Sequence, residues 1–362
     1  MGVSGMGPLT GGVAIPRARP VVVRRSQRKL GLLLAMLALI IAATGYVGYV
    51  AVEGSRQLVL PADVSSNCTT PAQLGWTYEA INYDQADDAR LASENDGHMD
   101  TCAEQGIAGT AVVSADGIRL AGWYIPAATP PDPAAPTVLI VHGHSDNKSA
   151  MLPYAEALHD RYDVVIMDLR HSGRSSGTQH TLGVLEQHDV RAMLDWLERT
   201  KDPDHIALLA LSGGAAASLA LSRTDDRIEA FITDSLHARS ESFIARGVQE
   251  AGHPAYPGTW ATLVGFWVRT GHDVRSADPV DSLPAISNRP LLLLHGSADT
   301  TDVPAESADL LYAHAQRLGM DVELRYCDSA AHAGVIETCS ADYGTWVADF
   351  LSRSFGTAPD GG

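Results

Sequence analysis

Cysteine is scarce in this sequence, and its four cysteines lack the spacing of a metal site. No two of them are separated by only two residues, which is the usual arrangement of paired zinc ligands. The sequence therefore predicts no metal site built on cysteine. It leaves Cys68, Cys102, Cys327 and Cys339 for disulfide bonds or for burial as free thiols.

Basic residues are also few, with 26 lysines and arginines against 43 aspartates and glutamates. Six of the basic residues lie within 1–29, which contains no acid, so the rest of the chain carries a net charge of −23. Phosphate backbones bind to clustered lysine and arginine. This acidic body therefore argues against nucleic acid as a partner.

Charged residues make up 19% of the chain and apolar residues 45%, a balance typical of globular rather than disordered proteins. The 362 residues suffice for one large domain with a sizeable core. We predict disordered tails only at 1–29, which has no apolar periodicity, and at 357–362.

An apolar run of 23 residues without charge occupies positions 30–52. As a helix it would be about 35 Å long, which is enough to cross the hydrocarbon core of a bilayer. Basic residues precede it directly, so the positive-inside rule predicts a cytoplasmic N-terminus and an extracytoplasmic body. We expect a single-pass protein of the cell membrane, with the lipid bilayer as a partner.

A cleaved signal peptide is the alternative interpretation of this run. The apolar core of a signal peptide usually has about 7–15 residues, so the greater length favours an uncleaved anchor. Either interpretation places the body of the chain outside the cytoplasm, where disulfides persist. Proximity in sequence favours the pairs Cys68–Cys102 and Cys327–Cys339.

Residues 53–109 are predicted to be a stalk followed by an extracytoplasmic insertion. The stretch 76–109 is irregular and acidic. Its carboxylates do not follow the spacing of an EF-hand loop, so a solvated loop is a better interpretation than a calcium site.

From 110 to 356 short apolar runs alternate with amphipathic stretches, after a predicted hairpin that turns at Asp116-Gly117. Buried strands that alternate with helices predict an α/β fold with a mostly parallel sheet covered on both faces. Residues 237–280 interrupt the alternation and are predicted to form a small helical cap. The predicted strands are 137–141, 164–167, 206–211, 230–233, 291–294 and 322–326.

A serine that follows a buried strand is the strongest candidate for a catalytic nucleophile. In IALLALSGGAAASLA the strand ends at Leu211, Ser212 follows, and Gly213 and Gly214 lead into an alanine-rich helix start. This is the context of a nucleophile elbow, a sharp strand-to-helix turn that exposes the serine hydroxyl. A lone serine at a helix start is more often an N-cap, but the preceding strand and the glycines favour a nucleophile.

The same turn predicts an oxyanion hole. Free N–H groups at a helix N-terminus favour a developing oxyanion, and Gly213 is the expected first donor. The second is expected from the loop VHGHSDNK after the first parallel strand, at the His144 N–H. Because His142 and His144 lie in a glycine-containing loop, a structural role is favoured over metal binding.

A serine nucleophile needs a base, and the base needs an orienting acid. Asp299 is the first acid after the strand 291–294 and is the predicted orienting acid, with Asp302 as the alternative. His332 lies in the loop before the final helix and is the predicted base. Serine, acid and histidine thus follow one another in the order found in α/β-hydrolases.

Cysteines 327 and 339 bracket the predicted base. A disulfide between them would close a loop of about 13 residues and contribute roughly 3 kcal/mol by the chain-entropy relation. We expect this bond to fix the loop that presents His332.

Together these motifs resemble the α/β-hydrolase superfamily, and most nearly its bacterial, extracytoplasmic, Bem46-like or serine-aminopeptidase-type members. The resemblance rests on VLIVHGHSDNK, VVIMDLRHSGRSSG, LGVLEQHDV, ALSGG and LLLLHGSAD, and it covers 110–355. The sequence departs from the family pattern at Ala210, where glycine is usual, in one extra residue within HGSADTTDVP, and in the inserted segment 84–109.

The resemblance implies an α/β-hydrolase fold with a triad of Ser212, Asp299 and His332, and an oxyanion hole at Gly213 and His144. It implies hydrolysis of an ester or related acyl bond without a metal or organic cofactor. In the DLRHSGRSSG segment, Asp168 and Arg170 are interpreted as residues that fix the loop beside the oxyanion strand.

The leading functional hypothesis is a serine hydrolase that cleaves a small-molecule or peptide acyl substrate through an acyl-enzyme. A serine peptidase of the same fold is one alternative. A non-catalytic surface binding protein on a hydrolase scaffold is another, because a fold alone does not establish a reaction.

Overall fold

The computed structural model describes residue 1 and residues 22–61, 67–81, 112–300 and 303–357. The chain forms two compact units, residues 1–47 and residues 48–362. The inserted segment 84–109, which includes the cysteine at position 102, lies outside the described residues. Cys68 is disulfide-bonded, and the pairing Cys68–Cys102 stays a prediction.

Helix α1, Val22–Val59, contains the apolar run of the sequence. Within the part of the chain that the structure describes, it is the one helix long and apolar enough to cross a membrane, with a mean hydropathy of 2.3. In the first unit its apolar side chains are exposed: Leu33 shows 62% of its surface and Ile41 63%.

The helix continues to Val59 rather than ending with the apolar run at Val52. In the second unit, Ser55 and Val59 are buried, and Glu53 pairs with Arg56 one helical turn later at 2.7 Å. Tertiary packing thus keeps the first part of the predicted stalk helical.

The second unit contains a sheet that, within the described residues, has eight strands in the order β1-β4-β6-β5-β7-β8-β9-β10. Strands β5 to β10 run parallel to one another, while β1 and β4 are antiparallel to their neighbours. A separate hairpin pairs β2 with β3 around the predicted Asp116-Gly117 turn. The strands are β1 Glu79–Ile81, β2 Val112–Val113, β3 Arg119–Leu120, β4 Gly122–Ile125, β5 Thr137–Val141, β6 Val164–Met167, β7 Ile206–Leu211, β8 Ala230–Asp234, β9 Leu291–Gly296 and β10 Val322–Cys327.

All six strands predicted from apolar runs form at their predicted positions, and the last three extend by one or two residues. The central strands are buried along their whole length, which is why their sequences are continuously apolar rather than alternating. Helices cover both faces: Leu208 belongs to one core cluster and Leu209, its neighbour, to the other. The predicted α/β fold with a mostly parallel, doubly covered sheet is confirmed.

The helices that follow α1 lie between the strands or after the last one. Val190, Met193, Leu194 and Leu197 are buried on one face of α3, as their spacing predicts. These helices are α2 Leu152–Glu156, α3 Glu186–Thr200, α4 Ser212–Leu221, α5 Ser240–Glu250, α6 Ala255–Thr270, α7 Pro279–Ser282, α8 Glu306–Arg317, α9 Val335–Thr338 and α10 Ser340–Phe355.

The segment 237–280, predicted to be a cap, contains α5 and α6, which pack against each other. Helix α6 also packs on the last turns of α1. A Cβ added to Gly265 would overlap the carbonyl oxygen of Ala51, and one added to Gly54 would lie 2.5 Å from the Thr262 hydroxyl oxygen. Small residues therefore let α6 and the end of α1 approach closely.

Candidate active site

Ser212 occupies a strained turn between β7 and α4. It is the first residue of the helix and has φ of +45°, in the left-handed region that side chains other than glycine rarely adopt. Gly214 makes the turn possible, because a Cβ there would overlap the carbonyl oxygen of His142. The turn has the geometry of a nucleophile elbow.

Ala210 stands where the family pattern has a glycine. It lies opposite Val141 in the parallel β5–β7 pair and is fully buried in the core. Its methyl group thus serves as core packing two residues before the turn.

Asp299 and His332 are in direct contact, 33 residues apart in sequence. The Nδ1 atom of His332 lies 2.8 Å from the Oδ2 atom of Asp299. The carboxylate is 2% exposed, and its Oδ1 atom accepts a hydrogen bond from the Val303 N–H. The Asp299 carboxylate thus holds the imidazole ring through its Nδ1 atom. The alternative acid, Asp302, lies outside the described residues.

The loop of His332 is fastened to the edge of the sheet beside Ser212. Leu211 pairs with Asp234 in the parallel ladder, so Ser212 and Ser235 leave the sheet side by side. The Ser235 hydroxyl accepts a hydrogen bond of 3.0 Å from the Ala333 N–H, next to His332. Ser212, Asp299 and the loop of His332 thus all lie at the carboxyl edge of the sheet.

The predicted disulfide between Cys327 and Cys339 is present, with the two Cα atoms 6.1 Å apart. Cys327 ends β10 and is fully buried, while Cys339 lies between α9 and α10. The bond closes the base of the loop that carries His332, so it holds both ends of that loop on the protein core.

The predicted oxyanion loop follows β5 and approaches the elbow. An ideal Cβ on Gly143 would lie 3.5 Å from the Ser212 Cβ, and one on Gly213 would lie 3.4 Å from the His144 backbone nitrogen. The two predicted N–H donors, Gly213 and His144, are therefore neighbours next to the serine. Donors so placed can stabilise negative charge on a carbonyl oxygen.

His142 has a structural role. Its Nε2 atom accepts a hydrogen bond of 2.9 Å from the Leu169 N–H, and its Nδ1 atom lies 2.7 Å from the Gly143 carbonyl oxygen. The ring therefore carries its proton on Nδ1. Both nitrogens are occupied by backbone groups, so this histidine is not free to bind a metal.

The loop after β6 is fixed by buried ion pairs. The Lys148 ammonium lies 2.7 Å from Asp168, which also accepts hydrogen bonds from the Lys148 and Arg174 N–H groups. Arg170 pairs with Asp189 at 2.6 Å and reaches Asp116 in the β2–β3 turn at 2.8 Å. Asp168 and Arg170 thus join this loop to the segment after β5, to the β2–β3 turn and to helix α3, as residues that fix the loop would.

Two histidines connect the oxyanion loop to the end of α1. The rings of His144 and His180 pack edge to face with centroids 4.8 Å apart, and the His180 N–H donates to the Val59 carbonyl oxygen. Burial lowers the pKa of His144 to about 4, so its ring is neutral at physiological pH. The loop that carries the predicted second oxyanion donor therefore rests on the last turn of α1.

Asp234 and Ser235 are site residues that the sequence reasoning missed. Asp234 is fully buried at the end of β8, and burial raises the pKa of its carboxyl to about 7. The Ser235 hydroxyl lies 2.9 Å from Asp234 Oδ1. The signal was available: an acid follows the buried run AFIT, just as Asp299 follows a later run.

One cavity borders the site, and a second lies within the cap region. One of about 620 Å³ lies on the Asp299 side, between α5 and the start of α8, and its lining includes His237, Arg239 and Arg246. The other, of about 240 Å³, lies between α5 and the end of α1. Phe243 of α5 lines both cavities.

No cluster of three or more histidine, cysteine, aspartate or glutamate residues suited to a metal ion occurs in the part of the chain with described coordinates.

Comparisons with known proteins identify the same fold. The family described as "alpha/beta hydrolase fold" matches residues 136–270. The uncharacterized protein YfhR of Salmonella typhi is 31% identical over 216 residues, which is 56% of this chain and 67% of that relative. YfhR of Escherichia coli O157:H7 is 30% identical, and the match spans 66% of its length. This chain thus spans about two thirds of the length of these curated relatives.

Solved structures show the fold over more of the chain. An esterase from Pyrococcus furiosus superposes with a TM-score of 0.61 at 23% identity, covering 83% of this chain and 99% of that one. An acylaminoacyl peptidase from Pyrococcus horikoshii superposes with a TM-score of 0.53 at 18% identity, covering 70% of this chain and 42% of that one. At these identities the likeness establishes the fold and not the reaction.

Proposed function

This chain belongs to the α/β-hydrolase superfamily, and we propose that it is a serine hydrolase that cleaves an ester or related acyl bond through an acyl-enzyme. The observation that supports the proposal is the pairing of His332 with the buried Asp299, at the same sheet edge as the strained turn of Ser212. Ser212 lies on a strained elbow, and His332 hydrogen-bonds to the buried Asp299 at 2.8 Å. Nucleophile, base and orienting acid in this order serve acyl transfer.

In the proposed reaction the Ser212 hydroxyl attacks the carbonyl carbon and His332 accepts its proton. Asp299 stabilises the resulting imidazolium, and the Gly213 and His144 N–H groups hold the oxyanion. The tetrahedral intermediate collapses as the bond to the leaving alcohol breaks, and His332 returns the proton to that oxygen. Water, deprotonated by His332, then attacks the acyl-enzyme and releases the carboxylic acid.

We also propose that α1 is an uncleaved membrane anchor with the catalytic unit outside the cytoplasm. The basic residues before the apolar run support this orientation by the positive-inside rule. The Cys327–Cys339 bond supports it as well, because disulfides persist outside the cytoplasm. Contacts between the end of α1 and the cap support retention, since cleavage within the run would remove part of a packed helix.

Peptide-bond cleavage is the second candidate reaction. The fold likeness to an acylaminoacyl peptidase supports it, and the same triad would attack an amide carbonyl. Cap residues rather than the triad would then decide which bond is cleaved.

The test uses the full chain in detergent with a fluorophosphonate probe, which labels an activated serine. We expect labelling of the wild type, its loss in Ser212→Ala, and normal labelling in Ser218→Ala, a matched variant in the same helix. An unlabelled but folded wild type would contradict the enzyme hypothesis and leave a binding protein. Rates on p-nitrophenyl esters and aminoacyl anilides then separate esterase from peptidase.

A further inference from the structure

One face of the cap helix α6 is apolar and exposed to solvent. Its exposed residues from Trp260 onward recur at helical spacing, and together with Tyr256, whose backbone is extended, we name them the cap stripe. The cap stripe consists of Tyr256 (83% exposed), Trp260 (60%), Val264 (38%), Trp267 (58%) and Val268 (70%). Soluble surfaces seldom concentrate large apolar side chains in this way, so the stripe marks an interaction surface.

The opposite face of α6 is already used. Gly258, Thr262 and Phe266 are buried there, and the face packs against α5 and the end of α1. The cap stripe is therefore not the face by which α6 packs on the protein core. It faces away from the catalytic unit.

Charge on α6 differs from charge on the rest of the body. After residue 29 the chain carries 43 acidic residues against 20 basic ones, yet α6 contains no acid and a single base, Arg269. An acidic surface would be repelled by anionic lipid headgroups, whereas this helix would not be. The cap is thus the part of the body best suited to approach a membrane.

The position of α6 fixes the depth at which the stripe would lie. The helix packs against Val50, Ala51 and Gly54, where the apolar run of α1 ends. Arg269 also lies 3.5 Å from the Ser55 hydroxyl. If α1 crosses a bilayer, this level of the helix is the membrane interface, where tryptophan and tyrosine rings are preferred.

We propose that the cap stripe is a second membrane contact, inserted at the headgroup level of the leaflet from which α1 emerges. The proposal rests on the proposed anchoring of α1, and it adds a defined orientation: the cap faces the lipid. The hydrolase would then meet substrates at the bilayer surface, and amphiphiles held in the membrane become the favoured substrate class. Helices of this kind lie in the interface plane with their apolar face in lipid.

Tryptophan fluorescence tests the contact directly. The chain has six tryptophans, and the first is Trp76, so α1 contributes no signal. The full chain is inserted in phosphatidylcholine nanodiscs with brominated acyl chains. We expect bromines near the headgroup to quench the emission more than bromines near the chain ends. Trp260→Phe/Trp267→Phe should lose most of this quenching, and Trp76→Phe/Trp346→Phe should keep it.

Two outcomes would overturn the proposal. One is a wild type that brominated lipid does not quench although the chain is inserted in the disc. The other is equal quenching in the wild type and in Trp260→Phe/Trp267→Phe. A second copy of the chain is the competing occupant: efficient cross-linking of Val268→Cys between two chains, without lipid quenching, would assign the stripe to a dimer.

A second experiment separates this proposal from the proposed reaction. Trp260→Glu/Trp267→Glu should be labelled normally by the fluorophosphonate in detergent, since neither residue belongs to the triad. Its rate on a lipid ester in vesicles should fall about tenfold as interfacial binding is lost, with little change on the same ester in micelles. An equal rate in vesicles would contradict the membrane contact, whereas absent labelling of every variant would contradict only the hydrolase.

Discussion

The carboxyl edge of the sheet and the cap differ in the kind of side chains they bury and expose. At the sheet edge, buried polar groups such as Asp168, Asp299 and His142 each contact several donors or acceptors. At the cap, helices meet through glycine and alanine, and large apolar rings face outward. This difference agrees with the two proposals: a reaction needs polar groups held in fixed positions, whereas a membrane contact needs an exposed apolar surface.

Asp299→Asn should produce the largest change in this comparison, because the sheet edge depends on one carboxylate to orient the base. We expect kcat to fall by about 10⁴-fold, as the amide favours the wrong histidine tautomer. Steady-state rates on a p-nitrophenyl ester measure it. Asp302→Asn is the matched variant, and a larger loss there would transfer the orienting role to Asp302.

The disulfide is the next contact to remove. Cys327→Ala/Cys339→Ala should lower the free energy of unfolding by about 3 kcal/mol, because it frees the loop that carries His332 in the unfolded chain. It should also reduce kcat, since the base is less well held. Thermal unfolding and fluorophosphonate labelling rates measure the two effects. Unchanged values in both would mean that the core alone positions the loop.

The contact between α6 and the end of α1 can be disrupted by adding one methyl group. Gly265→Ala should destabilise the protein by about 1–3 kcal/mol, because the added Cβ overlaps the Ala51 carbonyl oxygen and forces the helices apart. Gly344→Ala in α10 adds the same group where no atom lies within 4 Å. That control should be slightly stabilising, because alanine favours a helix more than glycine does. Equal melting temperatures for the two variants would refute a close contact.

The last prediction concerns the dependence of stability on pH and the Asp234 carboxyl. Its folded-state pKa is about 7, above the value near 4 of an unfolded aspartate. Between these values the folded state keeps a proton that the unfolded state has lost, so this group makes stability fall as pH rises from about 4 to 7. In Asp234→Asn this decrease in stability is absent, because asparagine does not bind or release a proton.

The melting temperature of Asp234→Asn relative to the wild type should therefore increase across this range and level off above it. Asp349→Asn, on the exposed side of α10, controls for the loss of one carboxylate. A relative melting temperature that does not change with pH would show that the Asp234 carboxyl keeps an ordinary pKa.

Much of this protein follows from local sequence. The six apolar strands, the hairpin turn and the elbow at Ser212 depend on residues within a few positions of one another, and each formed where its pattern predicted. The apolar helix α1 was also predicted from local sequence, because the length of the run and its lack of charge suffice to recognise it.

Other features depend on residues far apart in the chain. The contact of Asp299 with His332 spans 33 positions, and the hydrogen bond that joins Ala333 to Ser235 spans 98. The end of α1 meets α6 more than 200 residues later, which is why the helix continues past Val52 and why one face of the cap remains exposed.

The sequence by itself determined the strands, the turn at Ser212 and the apolar helix, because local periodicity and turn chemistry encode them. Only the tertiary structure showed that Asp299 contacts His332, that Asp234 is buried at the end of the neighbouring strand, and which surface the cap leaves open. The physical reason is that burial and long-range hydrogen bonds arise when distant segments pack together. No local pattern specifies which segments will meet.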